Sequence, residues 1–206
     1  MSQVANVWND IFKKNGRVFT EPHEDMKSVV QELKNAGAKT ILDFGSGSGR
    51  HVVYYAQHGF SVYGLDIAPD GLAMTRDWLA SEGLSADLKL HSMTDPLPYT
   101  DSFFDAVISV QVIHHANINT IKQIVLEIHR VLKTGGLAFV TVPEINHHKD
   151  TIEIEPKTFM PTKGEEAGLP HHYFTLDELY DTFNKFESVN IHTDSVSHFC
   201  LLARKC

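Results

Sequence analysis

The sequence has few of the features that mark disulfide scaffolds, membrane proteins or nucleic-acid-binding proteins. Cys200 and Cys206 are its only cysteines, too few for a disulfide framework and not spaced for a zinc site. No uninterrupted apolar stretch approaches the roughly 20 residues that span a bilayer, and residues 1–10 lack the basic and apolar segments of a secretory signal. The 18 Lys and Arg against 26 Asp and Glu give a net charge of −8, which disfavours nucleic acids and anionic membranes as partners. We expect a soluble, cytoplasmic protein without nucleic-acid or membrane partners, and the sequence leaves its oligomeric state open.

The sequence does contain alternating strand-like and helix-like segments. Its length of 206 residues and its 42% hydrophobic and 21% charged composition predict one globular domain over residues 1–206. Buried strands are predicted at 40–44, 61–66, 87–90, 104–110 and 136–142, and helices at 24–36, 51–58, 69–81 and 117–132. This order implies a parallel sheet covered by helices on both faces. A helix beginning at Thr175 and two strands at 187–193 and 196–203 predict a C-terminal antiparallel hairpin.

The most informative segment is the turn after the first predicted strand. Gly45, Gly47 and Gly49 precede a helix whose N-terminus offers free N–H groups. A phosphate-binding P-loop would close with Lys-Ser or Lys-Thr, whereas this turn closes with Arg50 and His51. The G-x-G-x-x-G dinucleotide pattern also fails on spacing. The turn therefore indicates neither of these two phosphate-binding motifs.

Two acidic residues indicate the kind of ligand instead. Asp43 stands before the glycines, where it would repel a pyrophosphate and suit a cationic group. Asp66 ends the second predicted strand, where an acid accepts hydrogen bonds from ribose hydroxyls in doubly wound folds. Together with the glycine turn, these residues predict a nucleoside cofactor that carries an ammonium group and no phosphate.

The chain resembles the class I S-adenosylmethionine-dependent methyltransferases of the small, single-domain, type 11-like kind. The resemblance is carried by residues 42–49, 62–66, 96–105, 114–115 and 132–136. It implies a doubly wound α/β fold, that is, a seven-stranded, mostly parallel, Rossmann-like sheet with the antiparallel hairpin at its C-terminal end. It also implies S-adenosylmethionine as the cofactor.

The resemblance assigns cofactor-binding roles to individual residues. Asp43 would contact the methionine ammonium, the Gly45-Ser46-Gly47 and Gly49 turn would pass beneath the methionine and ribose, and Asp66 would bind the ribose hydroxyls. The remaining contacts implied are Ile67 on the adenine ring, Ser92 or Met93 where relatives often carry an acid for the adenine amino group, and Gln111 near the sulfonium.

Methyl transfer from a sulfonium needs a general base only if the acceptor arrives protonated. The candidates for a base or acceptor contact are His115, which follows the fourth strand, and His171 and His172, which lie in an insertion at 144–174. The alternative is that these histidines, and His114 beside them, are structural and hydrogen-bonded. The insertion is expected to line the acceptor pocket, and residues 1–22 are expected either to close over the cofactor as a lid or simply to pack on the domain.

A metal site is not expected. Two of the three histidine pairs, at 114–115, 147–148 and 171–172, could combine with Glu144 or Asp150. Adjacent histidines in an extended segment point apart, however, and no H-x-x-x-H or H-E-x-x-H pattern is present.

The sequence thus favours methyl transfer from S-adenosylmethionine to a small-molecule acceptor. The alternatives are a non-catalytic module that binds S-adenosylmethionine or S-adenosylhomocysteine, and a nicotinamide oxidoreductase, which the position of Asp43 and the glycine spacing disfavour. The acceptor and the atom methylated are not determined by the sequence.

Overall fold

A computed structural model describes residues 3–145 and 150–206. The main sheet contains seven strands in the order β3-β2-β1-β4-β5-β10-β9. Its bounds are β1 Thr40–Phe44, β2 Ser61–Asp66, β3 Asp87–Leu90, β4 Phe104–Val110, β5 Leu132–Pro143, β9 Phe186–Thr193 and β10 His198–Lys205. Strands β1 to β5 pair in parallel, and β10 pairs antiparallel with both β5 and β9. The predicted doubly wound sheet with a C-terminal antiparallel hairpin is therefore confirmed.

Six helices accompany the strands in the described residues. Their bounds are α1 Gln3–Asn15, α2 Met26–Asn35, α3 Arg50–Gln57, α4 Pro69–Ser81, α5 Ile118–Val131 and α6 Leu176–Thr182. Asn117 caps α5 by accepting a hydrogen bond from the Thr120 amide, and Thr175 caps α6 through the Glu178 amide, because side-chain oxygens satisfy amides that have no partner within the first turn. In the described part of the chain, each helix is too short or too polar to cross a lipid bilayer.

The sheet has a separate hydrophobic cluster on each face. Ile41 of β1 and Ile108 of β4 pack with α2 and α3, whereas Leu42 and Val107 pack with α5 and α6. Successive side chains of a strand point to opposite faces, so consecutive apolar residues supply both clusters. The carboxyl ends of β1, β2 and β4 consequently meet at one edge of the sheet.

Two segments differ from the sequence prediction. Strand β5 begins at Leu132 rather than 136, directly after α5, because a bulge between β4 and β5 lets Leu132 pair with Phe104 before the glycines. The irregular segment predicted after β5 contains a second sheet of three strands, β6 Thr151–Glu155, β7 Thr158–Pro161 and β8 His171–His172. These strands obtain their hydrogen bonds from one another rather than from the main sheet.

Candidate active site

The glycine turn is fixed by backbone conformation and by close packing. Gly45 and Gly49 have φ angles of 83° and 97°, which other residues rarely adopt. A side chain on Gly45 would overlap Val112, and a Cβ on Gly49 would lie 2.7 Å from Thr75 Cγ2. The turn therefore has no room for side chains at Gly45 and Gly49.

Asp66 holds the glycine turn in place. Its Oδ2 accepts a hydrogen bond from the Gly47 amide at 2.7 Å, and its Oδ1 accepts one from the Ala68 amide at 2.8 Å. Burial raises the pKa of this carboxyl, and the amide hydrogen bonds act against that rise. Asp66 thus links β2, the glycine turn and the start of α4.

Asp43 is the buried acid of the site. Its side chain lies at the end of β1 with 1% exposure, and Oδ2 has no hydrogen-bond partner among the described residues. Burial raises its pKa to about 7, with Arg50 lowering it and Asp66 raising it further. A buried carboxylate oxygen without a partner fits a cationic ligand group, so the residues present suit the ammonium of S-adenosylmethionine.

The other predicted cofactor residues lie around the sheet edge at which the carboxyl ends of β1, β2 and β4 meet. Ser46 is buried with an unpartnered hydroxyl, and Gln111 has a φ of 59° and binds Thr141 Oγ1 through both its amide and its side chain. Backbone strain of this kind is concentrated at functional sites. Ile67 is partly exposed, Ser92 bonds the Thr94 hydroxyl, and Met93 packs on the core.

The sequence prediction did not include His91. Its amide donates to the Asp66 carbonyl at 2.8 Å, and its Nε2 is buried without a partner in the described residues. The sequence did contain a signal for His91: it is a polar residue directly after β3, and ligands bind beyond the carboxyl ends of the parallel strands in this kind of sheet.

Helix α1 covers the glycine turn. The Phe12 ring lies over Gly47 and Gly71, 3.2 and 3.1 Å from where their Cβ atoms would stand. The Asn9 side chain forms two hydrogen bonds of 2.9 Å with Asp70: it donates one to the Asp70 carboxylate and accepts one from the Asp70 backbone amide. Trp8 meets His115 edge to face at 5.2 Å. The helix is therefore in contact with both the glycine turn and the histidines that follow β4.

Two of the predicted histidines meet, together with His114. The ring centroids of His115 and His171 are 4.5 Å apart, and those of His114 and His115 are 3.9 Å apart. All three side chains are more than nine-tenths buried. Burial lowers the pKa of His115 to about 4 and that of His114 well below its usual range, so both are neutral at pH 7.

His172 points away from this group. Its ring is fully buried, with Nδ1 2.7 Å from the Thr158 hydroxyl and Nε2 3.3 Å from Glu178 Oε2. Neighbouring side chains of strand β8 lie on opposite faces, which separates His172 from His171. Its amide donates to the His114 carbonyl at 2.8 Å, so β8 is attached to the turn after β4.

The structure overturns the geometric argument made against a metal site. His114 and His115 lie in a turn rather than an extended strand, so their rings meet instead of diverging. One ligand nitrogen from each of His114, His115 and His171 lies within 4.8 Å of the others. His147 and His148 lie outside the described residues, and Asp150 is paired with Lys163.

Comparison with known proteins finds similarity to methyltransferases. Residues 42–140 match the family model described as "Methyltransferase domain". An uncharacterized methyltransferase from Synechocystis is 29% identical over 108 residues, covering 52% of this chain and 49% of that protein. A ubiquinone biosynthesis O-methyltransferase from Pseudomonas paraeruginosa is 27% identical over 134 residues, covering 64% and 52%. Mouse EEF1A lysine methyltransferase 2 is 26% identical over 153 residues, covering 65% and 63%. The chain thus spans about half to just under two-thirds of the length of these relatives.

Solved structures share the fold over nearly the whole chain. The PH0226 protein of Pyrococcus horikoshii has a TM-score of 0.73 at 15% identity, covering 96% of this chain and 99% of that one. The 1,6-didemethyltoxoflavin-N1-methyltransferase of Burkholderia thailandensis, solved with S-adenosylhomocysteine, has a TM-score of 0.70 at 17% identity, covering 100% and 91%. At these identities the likeness concerns the fold alone.

The sheet order, the glycine turn with Asp43 and Asp66, and the match of residues 42–140 to the methyltransferase family model together support a class I methyltransferase domain. The cofactor of this class is S-adenosylmethionine, as the sequence predicted.

Proposed function

We propose that this protein transfers the methyl group of S-adenosylmethionine to a small-molecule acceptor. The observation that carries the proposal is that helix α1 and the insertion together cover the histidine side of the site; we call this cover the roof. Helix α1 contacts His115 through Trp8, and Lys14 and Asn15 bond Glu165 of the insertion at 2.8 and 3.1 Å. A site covered from two directions suits a compact acceptor better than a polypeptide segment.

In this proposal the chain is one catalytic domain in which residues 1–22 form the lid and residues 144–174 the acceptor-side insertion. Asp43 holds the ammonium group, and Asp66 and Ile67 hold the ribose and the adenine. The Gly45-Ser46-Gly47 turn and Gly49 support the cofactor from below. Ser92 or Met93 meets the adenine edge, and Gln111 lies beside the reacting centre.

The bound cofactor supplies an electrophilic methyl group on a sulfonium, whose displacement leaves a neutral thioether. The protein's main contribution is therefore alignment, which is worth up to about 7–11 kcal/mol in favourable cases. Trp8 and Phe12 exclude water from the site when α1 is closed.

Some of these histidines are proposed to contact the acceptor, and the others to position the histidines that contact it. While no ion is bound, His115 is neutral and buried with its pKa lowered to about 4, so it would contact an acceptor O–H or N–H group as a hydrogen-bond acceptor. His171 is held by Glu166 and the Leu169 carbonyl at 2.7 and 3.0 Å. His172 fixes β8 from the opposite face and acts as a positioning residue.

Calorimetry with S-adenosylmethionine, S-adenosylhomocysteine and NAD, followed by an acceptor screen, tests the proposal. We expect the first two to bind and NAD not to bind. The screen would measure formation of S-adenosylhomocysteine with phenols, carboxylic acids, amines and thiols, and with a lysine-containing protein. Asp66→Asn should weaken cofactor binding about 10- to 150-fold, the effect of losing roughly 1.5–3 kcal/mol of charged hydrogen bonding, and the exposed Asp77→Asn on α4 is the control.

Turnover of a small acceptor would support the proposal. Turnover of the protein acceptor alone would replace it with a protein-modifying function, to which the mouse relative corresponds by name. Tight binding of S-adenosylhomocysteine without turnover of any acceptor would favour the non-catalytic binding module.

A further inference from the structure

Three buried imidazoles meet beneath the roof of the site, and we propose that they bind a divalent transition-metal ion, with Glu166 as a fourth ligand. One ligand nitrogen from each of His114, His115 and His171 lies within 4.8 Å of the others. Zinc–nitrogen bonds of about 2.0–2.1 Å place ligand nitrogens roughly 3.4 Å apart in a tetrahedral site. Closure around an ion therefore requires side-chain shifts on the order of 1 Å.

Two of these imidazoles have a nitrogen that lacks a partner. Nδ1 of His114 and Nδ1 of His115 are both buried without a hydrogen-bond partner in the described residues. Buried polar atoms without partners are uncommon and costly, and a metal ion would use both lone pairs.

His171 and Glu166 are arranged as a ligand pair. Nδ1 of His171 lies 3.0 Å from the Leu169 carbonyl, and Nε2 lies 2.7 Å from Glu166 Oε2. A hydrogen bond from one ring nitrogen to a carbonyl commonly orients the other nitrogen of a metal-binding histidine. An ion would displace the proton between Nε2 and Oε2 to solvent, and these two atoms would have to move apart from 2.7 Å for both to become ligands.

The ligand set indicates the class of ion. Three imidazoles and one carboxylate suit zinc, cobalt, nickel or iron, whereas magnesium and calcium prefer oxygen ligands throughout. The bound ion would connect the turn after β4 with the insertion, since Glu166 lies between β7 and β8 and His171 begins β8. The ion's position beside the acceptor rests on the proposed function, but its binding does not.

A second group of possible ligands serves as an internal comparison. His23, Asp25 and Cys200 also have ligand atoms within 4.8 Å of one another. Their side chains are already partnered, His23 with Asp194 at 3.1 Å and Asp25 with His192 at 2.9 Å. A metal bound there would have a sulfur ligand, which gives a cobalt complex a distinct charge-transfer absorption.

The test is a titration of the chelator-treated full chain with Co²⁺, in the absence of cofactor and acceptor. We expect one Co²⁺ per chain, visible bands of a four-coordinate nitrogen and oxygen site, and no sulfur charge-transfer band. His115→Gln and His171→Gln should weaken binding roughly 100-fold or more, because loss of a direct ligand should exceed the 10- to 100-fold effect of losing a supporting residue. His58→Gln, at the end of α3, is the matched control and should bind like the unmodified chain.

Glu166 allows the same test without disturbing a buried ring, because its side chain is 43% exposed. Glu166→Gln should fold normally by circular dichroism and still weaken Co²⁺ binding. No binding to the unmodified chain, equal binding by all variants, or a sulfur charge-transfer band lost in Cys200→Ser would each overturn the proposal. Because no methyl transfer is measured, these results stand whether or not the proposed function is correct.

Discussion

Asp43 and Asp66 are both acidic residues at strand ends, yet their surroundings give them different tasks. Asp66 accepts two amide hydrogen bonds and holds the glycine turn. Asp43 keeps an unpartnered oxygen, and burial raises its pKa to about 7. The same residue type therefore supplies a fixed anchor in one case and, in the other, a buried carboxyl with a raised pKa that we propose binds the cofactor's ammonium group.

The raised pKa of Asp43 predicts pH-dependent cofactor binding. An ammonium group binds the ionised carboxylate, so affinity for S-adenosylhomocysteine should fall as the pH drops below about 7, by up to about tenfold per pH unit. Calorimetry between about pH 5.5 and 7.5 measures this dependence. Asp43→Asn should bind weakly at all these values with a flat profile, whereas Asp77→Asn should keep the original profile. A wild-type profile that is flat in this range would contradict the assignment of Asp43.

At the scale of elements, the glycine turn depends on packing as much as on backbone freedom. Gly45 and Gly59 have nearly equal φ angles, 83° and 86°. A Cβ on Gly45 would overlap Val112, whereas a Cβ on Gly59 would have no heavy atom within 4 Å. Comparing Gly45 with Gly59 therefore separates two free-energy costs of adding a side chain: the cost of its backbone conformation, which both share, and the cost of steric overlap, which only Gly45 has.

Comparing Gly45→Ala with Gly59→Ala tests this point by urea unfolding. Gly59→Ala should lower the free energy of unfolding by about 1–2 kcal/mol, the cost of a left-handed alanine. Gly45→Ala should cost about 1–3 kcal/mol more because of the overlap, and it should also impair S-adenosylhomocysteine binding. Equal costs for the two variants would show that Val112 moves aside freely.

Sequence periodicity predicted the central elements well and the insertion poorly. Strands β1, β2, β3 and β4 and helix α4 have the predicted bounds, because apolar runs, a proline at the first helical position (Pro69) and glycine turns are local signals. Strands β6, β7 and β8 were missed even though 151–155 alternates isoleucine and glutamate. Short strands on a polar surface carry little of the hydrophobic signal on which such predictions depend.

At the scale of the whole molecule, buried titratable groups make stability depend on pH in opposite directions. The pKa of His51 is held well below its usual range by burial, with Arg50 and His23 contributing, and its Nε2 accepts a hydrogen bond from the His23 amide. Unfolding allows this ring to take up a proton below about pH 6.5. The raised pKa of Asp43 has the opposite sign, since the unfolded chain loses that proton between about pH 4 and 7.

We therefore expect His51 to contribute stability that is fully present above about pH 6.5 and is lost as the pH falls. In chelator-treated protein, the free energy of unfolding from urea titrations should fall below this value, with a contribution from His51 of up to about 1.4 kcal/mol per pH unit. His51→Gln should have a shallower slope, and His58→Gln should match the unmodified chain. Parallel slopes for all three proteins would remove His51 from the explanation.

The sequence by itself determined the fold class, the glycine turn, the positions of Asp43 and Asp66 at the ends of strands, and the cofactor, because these depend on local residue patterns around strand ends; the binding roles of the two acids stay predictions. Only the tertiary structure decided that His115 and His171 meet while His172 faces the other way, that His114 joins them, and that α1 covers the turn. These contacts join residues far apart in the chain, such as Trp8 with His115 and Lys14 with Glu165. Their geometry follows from how the insertion and α1 pack over the edge of the sheet, which no local pattern encodes.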